Sequence, residues 1–386
     1  MYDALIVGAG PAGSTAARLL AQAGWSVLVV EKSAFPRRKV CGEFISATSL
    51  PLLYDHGVRD GFLAQAGPEV RRVGLFARDA VLDSAMPLAA KSIAGWGRAL
   101  GRDHLDLMLI EAAAKAGAEI RQPWKLTGLA RCAGGFVCRI VAADRQQEHR
   151  ARIVIAANGS WERAPWMPAV PSHRRSDLLA FKAHFQGSAL ARDLMPLLVF
   201  PGGYGGMVHS DGGRVSLSCC IRRDALESCR RAYPGLPAGE AVLQHIIHTS
   251  DGVRDTLRPA RLDGAWLSAG PIRPGIRPRY RDGMFFIGNA AGEAHPIIAE
   301  GISMAMQSAW LLSQRLIEGR GNLADAGRLY ARDWHNAFAT RIRAAAAFAH
   351  LAMWPGAARV LPLVKRFPEI LTWGARLSGK TTQLVQ

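Results

Sequence analysis

The spacing of apolar positions predicts a strand, a helix and a second strand at the start of the chain. Residues 4–7 are a continuous apolar run, typical of a buried strand, and residues 8–13 read GAGPAG. Residues 14–24 have apolar positions at helical spacing and end at a glycine. A second apolar run covers 25–30 and is followed by Glu31. This order indicates the beginning of a parallel sheet.

The rest of the chain has several strongly patterned segments. The apolar spacing predicts helices over 102–117 and 301–318 and a buried strand over 284–287. Residues 176–223 contain short apolar runs separated by glycine-rich turns, which indicates an antiparallel sheet in a separate domain. From residue 323 onward the periodicity is mainly helical. The pattern as a whole is that of an α/β protein with a helical tail.

Composition and charge limit the class of protein. The 386 residues are 49% hydrophobic, enough for packed cores in two or three domains and too much for a disordered chain. The net charge of +17 favours an acidic partner: nucleic acid, an anionic membrane or an anionic cofactor. The six cysteines form no CxxC pair, so we expect neither a zinc site nor a disulfide framework. We expect a cytoplasmic protein without a transmembrane helix.

The GAGPAG segment has the position of a dinucleotide-binding fingerprint, between a strand and a helix. Gly8 allows the tight turn, Gly10 lets the backbone approach a pyrophosphate, and Gly13 lets the helix pack against the strand. The helix start offers free N–H groups and the positive end of its dipole to the phosphates. Glu31 is suited to accept hydrogen bonds from a ribose, which favours NAD or FAD over a 2′-phosphorylated nucleotide.

A second glycine-rich segment reads GNAAGEAHPIIAEGIS over 288–303. The two glycine-rich segments resemble those of p-hydroxybenzoate hydroxylase-like flavoproteins, most of all the branch of geranylgeranyl reductases, FixC-type dehydrogenases and flavin-dependent halogenases. The resemblance implies that Asn289, at the end of a strand, lies beside a ribityl hydroxyl and that the helix beginning at Gly301 aims N–H groups at the flavin pyrimidine edge. The resemblance covers roughly residues 1–318 and implies a bound FAD.

Three further segments support the resemblance. Residues 37–43 resemble the Lys-x-Cys-Gly segment that lies along the isoalloxazine in geranylgeranyl reductase-like proteins. Residues 102–106 resemble a helix start whose arginine reaches FAD, and residues 200–206 resemble a segment of the substrate domain. Asn158 and Asn289 stand where the family has aspartate. The missing charge at Asn158 weakens the expectation of conventional NAD(P)H-coupled hydroxylation.

The resemblance implies an α/β fold in which a Rossmann-like FAD-binding domain is interleaved with a β-sheet substrate domain and followed by C-terminal helices. We expect an FAD-binding domain of 1–75, 98–170 and 281–320, a substrate domain of 76–97 and 171–280, and a helical region of 321–386. The expected FAD contacts are Gly8, Gly10, Pro11, Ala12, Gly13, Glu31, Lys32, Arg37, Cys41, Gly42, Arg102, Asn158, Gly288, Asn289, Pro296, Gly301 and Ile302.

Four residues are candidates for catalysis, and each also has a structural interpretation. Cys41 is a candidate proton donor whose pKa the basic loop 37–39 would lower, or a packing residue beside the cofactor. Glu43 is expected either at the substrate or in a salt bridge. His295 is expected either as an acid–base group or as a hydrogen-bonded structural residue. Glu300 is a candidate base, although an anion at a helix start is favoured.

Lipophilic contacts are expected in two places. Phe200 and Tyr204 are expected to contact the substrate, and for Tyr204 packing in the core is the alternative. Residues 341–386 carry seven basic residues and one acidic residue, interleaved with Trp, Phe and Leu. We expect most of these apolar residues to pack as helices, and part of the segment to contact an anionic membrane or guide a lipophilic substrate. Nucleic acid is not expected, since no recognition module is visible.

The expected function is FAD-dependent chemistry on a hydrophobic small molecule. The favoured hypothesis is an NAD(P)H-dependent monooxygenase that hydroxylates an aromatic or polyketide-like substrate, with NAD(P)H bound transiently because there is one fingerprint. The alternative is an ene-reductase or dehydrogenase of an isoprenoid or other lipophilic substrate. A halogenase is disfavoured because the family's Trp-x-Trp-x-Ile-Pro segment is absent. A flavin-binding protein without turnover is the remaining alternative.

Overall fold

The structure is a computed structural model and describes residues 1–88, 95–160, 173–319, 322–354, 356 and 359–380. Its strands are β1 (Tyr2–Val7), β2 (Val27–Val30), β3 (Phe44–Ile45), β4 (Arg72–Ala77), β5 (Ala80–Ala85), β6 (Arg98–Ala99), β7 (Glu119–Arg121), β8 (Lys125–Cys132), β9 (Gly135–Ala142), β10 (Arg145–Ala156), β11 (Leu178–Gln186), β12 (Leu194–Phe200), β13 (Gly203–His209), β14 (Val215–Arg222), β15 (Arg261–Ile272), β16 (Gly275–Ile276), β17 (Tyr280–Arg281), β18 (Met284–Phe286) and β19 (Gly292–Glu293). Its α-helices are α1 (Pro11–Gln22), α2 (Leu50–Asp55), α3 (Arg59–Gln65), α4 (Arg102–Lys115), α5 (Arg223–Ala232), α6 (Ala238–Thr249), α7 (Asp251–Leu257), α8 (Gly301–Glu318), α9 (Leu323–Met353), α10 (Leu361–Arg366) and α11 (Glu369–Ala375), and a last turn covers Arg376–Lys380.

The first sheet has a parallel centre. β1 lies between β2 and β10, and β7 and β18 extend the sheet on either side, all in parallel. These strands are apolar throughout because the sheet core is buried, with α1 packing against both α4 and α8. From β1 the chain continues to β2 on one side of it, whereas β10, which pairs with β1 on the other side, comes much later in the chain. The carboxyl end of β1 is therefore a switch point, where open parallel sheets bind their ligands.

The second sheet has seven strands in the order β15-β11-β14-β13-β12-β4-β5. Its pairs are antiparallel except for β12 with β4, which are parallel. β4 and β5 come from an earlier part of the chain and add to the sheet beside β12. The antiparallel sheet expected from the sequence thus contains one parallel pair. Residues of α5, α6 and α7 share a core cluster with residues of this sheet. These three helices are not among the predicted elements.

The two sheets are interleaved along the chain, and the predicted α/β fold with C-terminal helices is confirmed. β4 crosses the expected domain boundary between 75 and 76, because it pairs along its length with β5 and β12. The helix predicted over 301–318 is α8 with the same bounds. None of the helices in the described part of the chain is long and apolar enough to cross a membrane.

Candidate active site

A cavity of about 1340 Å³ is lined by both sheets and by the C-terminal helices. Its lining has two parts of different chemistry. The polar part is formed by the ends of β1, β2 and β10 with the charged residues Glu31, Arg37 and Arg102. The apolar part is formed by Leu197 and Val199 of β12 together with residues of α9, α10 and α11. A cavity of this kind is the default place to look for ligand binding.

The glycines of the first segment have the geometry that close packing requires. Gly8 has a φ of +100°, and a Cβ atom there would lie 2.7 Å from the carbonyl oxygen of Ala157. A Cβ atom on Gly13 would overlap the carbonyl oxygen of Gly8, so the start of α1 packs directly against the end of β1. A Cβ atom on Gly10 would meet nothing closer than an Arg102 nitrogen at 3.6 Å, which leaves this backbone open to the cavity. The first N–H groups of α1 are thus available to an anion.

Glu31 lies at the end of β2 and is 4% exposed. Its carboxylate accepts hydrogen bonds from the backbone N–H groups of Ala9 and Ser33, both at 2.9 Å. Arg37 lies 3.3 Å from the same carboxylate, and Lys32 also lines the cavity. These partners fix the carboxylate in the polar part, where a ribose hydroxyl can reach it.

Arg102 begins α4 and donates to both oxygens of Asp106, at 2.7 and 2.8 Å. Asp106 is fully buried and also lies 3.5 Å from a nitrogen of Arg37. The two guanidinium groups therefore flank the Asp106 carboxylate beside the start of α1. Arg102 also contacts the thiol of Cys41, which lines the cavity, and the predicted contact of Cys41 with the cofactor stays a prediction.

Asn158 follows β10 at the switch point. The N–H of Ala157 donates to the carbonyl of Val7 at 2.8 Å, which continues the pairing of β10 with β1. The Cα of Asn158 lies 3.0 Å from the Cβ position of Gly8, so this loop and the glycine turn are packed together. Asn158 lines the cavity, and its predicted contact with the cofactor stays a prediction.

Asn289 lies in the second glycine-rich segment, directly after Gly288, whose N–H donates to the Ser308 hydroxyl at 2.8 Å. The Nδ2 of Asn289 donates to Glu293 at 3.0 Å, which leaves its Oδ1 to accept a hydrogen bond. Arg277 donates to the Asn289 carbonyl at 2.9 Å and holds the loop in place. An amide oxygen fixed in this way can accept from a ribityl hydroxyl, as an aspartate would.

The start of α8 is positioned by an unusual turn. Pro296 opens a short 3₁₀ turn, and Ala299 follows with a φ of +52°, a region that residues other than glycine rarely occupy. α8 then begins at Gly301, where an added Cβ atom would meet no atom within 4 Å in the described part of the chain. Gly301 and Ile302 both line the cavity. The positive end of the helix dipole thus faces the cavity, where it favours negative charge on a reduced ligand.

Glu300 is buried and held from two sides. The Ser46 hydroxyl and the Lys380 ammonium each donate to it at 3.1 Å. Lys380 is itself 6% exposed and also donates to the carbonyl of Ile298 at 2.5 Å. The arrangement fits the helix-start interpretation of Glu300 better than a role as a free base. Lys380 is not among the expected site residues, because no motif in the sequence marks the last turn as part of the site.

Glu43 is almost fully buried and has a φ of +63°. The Lys182 ammonium donates to one carboxylate oxygen, and His184 Nε2 lies 3.0 Å from the other. Burial opposes ionisation, but the hydrogen bond from His184 and the charge of Lys182 outweigh it, so the pKa of Glu43 lies below its ordinary value. The carboxylate therefore ties the Cys41–Gly42 loop to β11, which fits the salt-bridge interpretation. Lys182 and His184 are two residues apart in the apolar strand β11, so their side chains lie on the same face. This spacing in the sequence could have predicted that both contact one acidic partner.

Tyr204 and His295 form a hydrogen-bonded pair in the cavity wall, with 3.1 Å between the phenol oxygen and Nδ1. Burial and the nearby His350 lower the pKa of His295 to about 4, so the ring is neutral at neutral pH. Burial raises the pKa of Tyr204 well above its ordinary value. The phenol therefore stays protonated at neutral pH, with its oxygen beside the neutral imidazole of His295.

The apolar part includes one face of β12. Leu197 and Val199 point to the cavity side, while Leu198 and Phe200 are buried in the core of the second sheet. The Phe200 ring packs 6.0 Å from that of His245, so this expected substrate residue borders the cavity but packs mainly in the core. The C-terminal helices and the residues next to them contribute Phe348, Leu351, Val360, Leu361, Val364 and Leu371 to the lining.

The residues of the polar part fit an FAD. The N–H groups at the start of α1, with Arg102 beside them, would hold the pyrophosphate, and Glu31 would hold the ribose. The fixed Oδ1 of Asn289 would accept from the ribityl chain, and the start of α8 would face the pyrimidine edge. Bound FAD would supply hydride transfer to or from a molecule in the apolar part.

Fold and site together define a dinucleotide-binding flavoprotein. The family model described as the FAD binding domain matches residues 1–333. The chain belongs to this family and is an FAD-dependent oxidoreductase. The resemblance that was expected from the two glycine-rich segments is thereby confirmed.

Three curated relatives show how the chain compares with whole proteins. Conditioned medium factor receptor 1 of Dictyostelium discoideum is 26% identical over 82% of this chain, which spans only 64% of that protein. Digeranylgeranylglycerophospholipid reductase 1 of Methanopyrus kandleri is 29% identical, with 79% of this chain and 77% of that protein covered. Menaquinone reductase of Mycobacterium tuberculosis is 26% identical, with 99% of this chain and 88% of that protein covered.

Solved structures of two kinds share the fold. The myxobacterial chondrochloren halogenase CndH superimposes with a TM-score of 0.79 at 18% identity, covering 100% of this chain and 94% of that one. A geranylgeranyl bacteriochlorophyll reductase-like protein of Thermoplasma acidophilum superimposes with a TM-score of 0.77 at 19% identity, covering 99% and 96%. Halogenases and reductases thus share one architecture, and the fold does not separate their chemistries.

Proposed function

We propose that the protein is an FAD-dependent reductase of a carbon–carbon double bond in an isoprenoid lipid. The observation that carries the proposal is the apolar part of the cavity, where β12 and three helices supply aliphatic and aromatic side chains next to a site that fits FAD. Two relatives are named as reductases, one of a digeranylgeranylglycerophospholipid and one of menaquinone. A lipophilic chain is the ligand that such a lining suits.

Tyr204 supplies the proton that this reduction needs. Reduction of a double bond adds a hydride to one carbon and a proton to the other. Bound, reduced FAD would supply the hydride, and the Tyr204 phenol, which lies 3.1 Å from His295 Nδ1, would supply the proton. Cys41 lines the same cavity and is the second candidate donor. NAD(P)H, bound transiently, is the proposed source of electrons.

The hydroxylation that the sequence favoured is the competing function. It would consume O₂ and add an oxygen atom to the product, whereas the reductase adds two hydrogen atoms and needs no O₂. The test incubates the FAD-loaded protein with NAD(P)H and a geranylgeranyl lipid, with and without O₂, and determines the product mass. A product with two added hydrogens under anaerobic conditions supports the reductase, and an oxygenated product that forms only in air overturns it.

Tyr204→Phe tests the proton donor separately. The variant keeps the ring and removes the hydroxyl, so we expect reduction to slow by a factor of about 10² while FAD binding is unchanged. Cys41→Ser is the matched comparison for the second candidate. An unchanged rate in Tyr204→Phe would remove Tyr204 from the mechanism.

A further inference from the structure

The C-terminal segment 359–380 exposes large apolar side chains to solvent. Trp373 is 63% exposed, Leu377 60%, Leu363 53%, Phe367 52% and Ile370 39%. We call these five residues the docking face. Ile370, Trp373 and Leu377 recur at helical spacing, so they share one side of α11 and the turn after it. Single exposed leucines are ordinary, but aromatic and aliphatic side chains grouped on one short segment mark a contact surface.

Basic residues surround the docking face. Arg359, Lys365, Arg366 and Arg376 are exposed, and Glu369 is the one acidic residue of the segment. Lys365 is paired with Asp79 at 2.8 Å, so the three arginines carry the charge of this surface. The Arg376 guanidinium lies 5.8 Å from the centre of the Trp373 ring, so charge and indole are presented together. Interleaved basic and apolar side chains suit the boundary of an anionic bilayer, where the apolar groups enter the lipid and the cations meet the headgroups.

The same segment also lines the cavity. Leu361, Val364, Leu371 and Ala375 contribute to the cavity lining, and Ile370 of the docking face borders the cavity as well. The segment is tied to the protein at its end by the Lys380 contacts with Glu300 and Ile298. It is tied in the middle by a 2.6 Å hydrogen bond from the Thr372 hydroxyl to the carbonyl of Ala85. One short element thus carries both the exposed docking face and part of the apolar lining of the cavity.

We propose that the segment 359–380 docks the protein on an anionic membrane surface, so that a lipophilic substrate passes from the bilayer along this element into the cavity. The inference deepens the proposed function and rests on it only for the nature of the substrate. Docking itself requires no redox chemistry. Its failure and the failure of the reductase proposal are therefore distinguishable.

The test measures co-sedimentation of the FAD-loaded, full-length protein with lipid vesicles. We expect binding to vesicles of phosphatidylcholine mixed with phosphatidylglycerol at low salt, and weaker binding at high salt because counterions screen the headgroups. Binding to pure phosphatidylcholine should be weaker at both salt concentrations. Equal binding to the two vesicle types, or no binding to either, overturns the proposal.

Two pairs of variants locate the surface. Trp373→Ser with Leu377→Ser should weaken vesicle binding about tenfold, whereas the exposed leucines of the substrate domain, changed as Leu236→Ser with Leu262→Ser, should leave it unchanged. The charge-reversal pair Arg366→Glu with Arg376→Glu should weaken vesicle binding tenfold or more. The matched control, Arg150→Glu with Arg258→Glu, should leave vesicle binding unchanged.

The same variants also test whether the docking face contacts a second copy of the chain and not a membrane. Equal losses in a variant pair and its control overturn the proposal, provided that FAD content and circular dichroism show folded protein. A wild-type dimer in the absence of vesicles, converted to a monomer by Trp373→Ser with Leu377→Ser, would assign the face to a second copy and also overturn it. Anionic-vesicle binding without lipid reduction would retain the docking and reject the proposed function.

Discussion

The polar and apolar parts of the cavity are specified by the sequence in different ways. The polar part is built from short segments in which glycines fix the backbone, such as residues 8–13, and its contacts are largely made within a segment or between adjacent strands. The apolar part collects side chains from β12 and from helices far along the chain. Cofactor chemistry is therefore readable from local motifs, whereas the shape of the substrate site emerges only when distant elements pack together.

Gly13→Ala should destroy the polar part and give the largest effect. The added Cβ atom would overlap the carbonyl oxygen of Gly8, and neither backbone can move without separating α1 from β1. We expect a loss of about 4 kcal/mol or more in unfolding free energy and no retained FAD. Urea denaturation and the flavin absorbance of the purified protein measure both. Gly374→Ala in α11, where an added Cβ atom meets no described atom within 4 Å, should be neutral or slightly stabilising. Retention of FAD by Gly13→Ala would contradict the close packing.

Lys182→Met should weaken the ion pair by which Glu43 ties the Cys41–Gly42 loop to β11. The change leaves the ionised Glu43 buried without its ammonium partner, which costs about 3 kcal/mol of unfolding free energy at neutral pH. The double variant Lys182→Met with Glu43→Gln should recover much of this loss, because the buried charge is gone. Urea denaturation near neutral pH gives both values.

The pH dependence checks the same pair. The pKa of Glu43 is lowered in the folded protein, so its ionisation stabilises the fold above the unfolded-state pKa, and this contribution is lost as the pH falls. The acid-dependent loss should shrink in the double variant. A single variant as stable as the double variant would show that Glu43 is not held as a carboxylate.

Leu197→Trp should disturb the apolar part alone. The larger side chain enters the cavity, so we expect the KM for a lipophilic substrate to rise about tenfold, equivalent to about 1.4 kcal/mol, with FAD affinity unchanged. Steady-state kinetics and an FAD titration separate the two effects. Leu262→Trp, on the exposed surface of β15, is the control and should behave as wild type. A parallel loss of FAD affinity in Leu197→Trp would show that the two parts are not independent.

His56→Leu should give the smallest effect on stability. His56 lines neither the polar nor the apolar part of the cavity. Burial and the charge of Arg18 lower the pKa of His56 to about 3, and neither ring nitrogen has a hydrogen-bond partner in the described part of the chain. Because the unfolded state binds the proton more readily, the wild type loses stability as the pH falls below the unfolded-state value of about 6.5. From about pH 7.5 to about pH 6 this loss is about 1 kcal/mol, and His56→Leu should remove it. The exposed His335→Leu is the control, and an unchanged slope in His56→Leu would contradict the account.

Much of the fold was predictable from the sequence, and the reasons for success and failure are physical. The bounds of α8 were predicted because apolar residues recur at helical spacing from Gly301 to Glu318. The β1-α1-β2 unit was predicted because the glycines of residues 8–13 follow the first apolar run and Glu31 follows the second. Phe200 was expected at the substrate because residues 200–206 resemble a segment of the family's substrate domain. The apolar pattern of β12 could not correct this expectation, because both of its faces are apolar, one in the core and one on the cavity. Lys380 was missed because its partners, Glu300 and Ile298, are distant in the chain.

The most direct test of the account follows the flavin itself. The FAD-loaded protein is reduced without oxygen and mixed anaerobically with a geranylgeranyl lipid, and the absorbance of oxidised flavin is recorded. We expect this absorbance to return in the absence of O₂, at a rate that is lower in Tyr204→Phe and Leu197→Trp. Return of the absorbance only after O₂ is admitted would contradict the claim that this cavity serves the reduction of a lipophilic substrate.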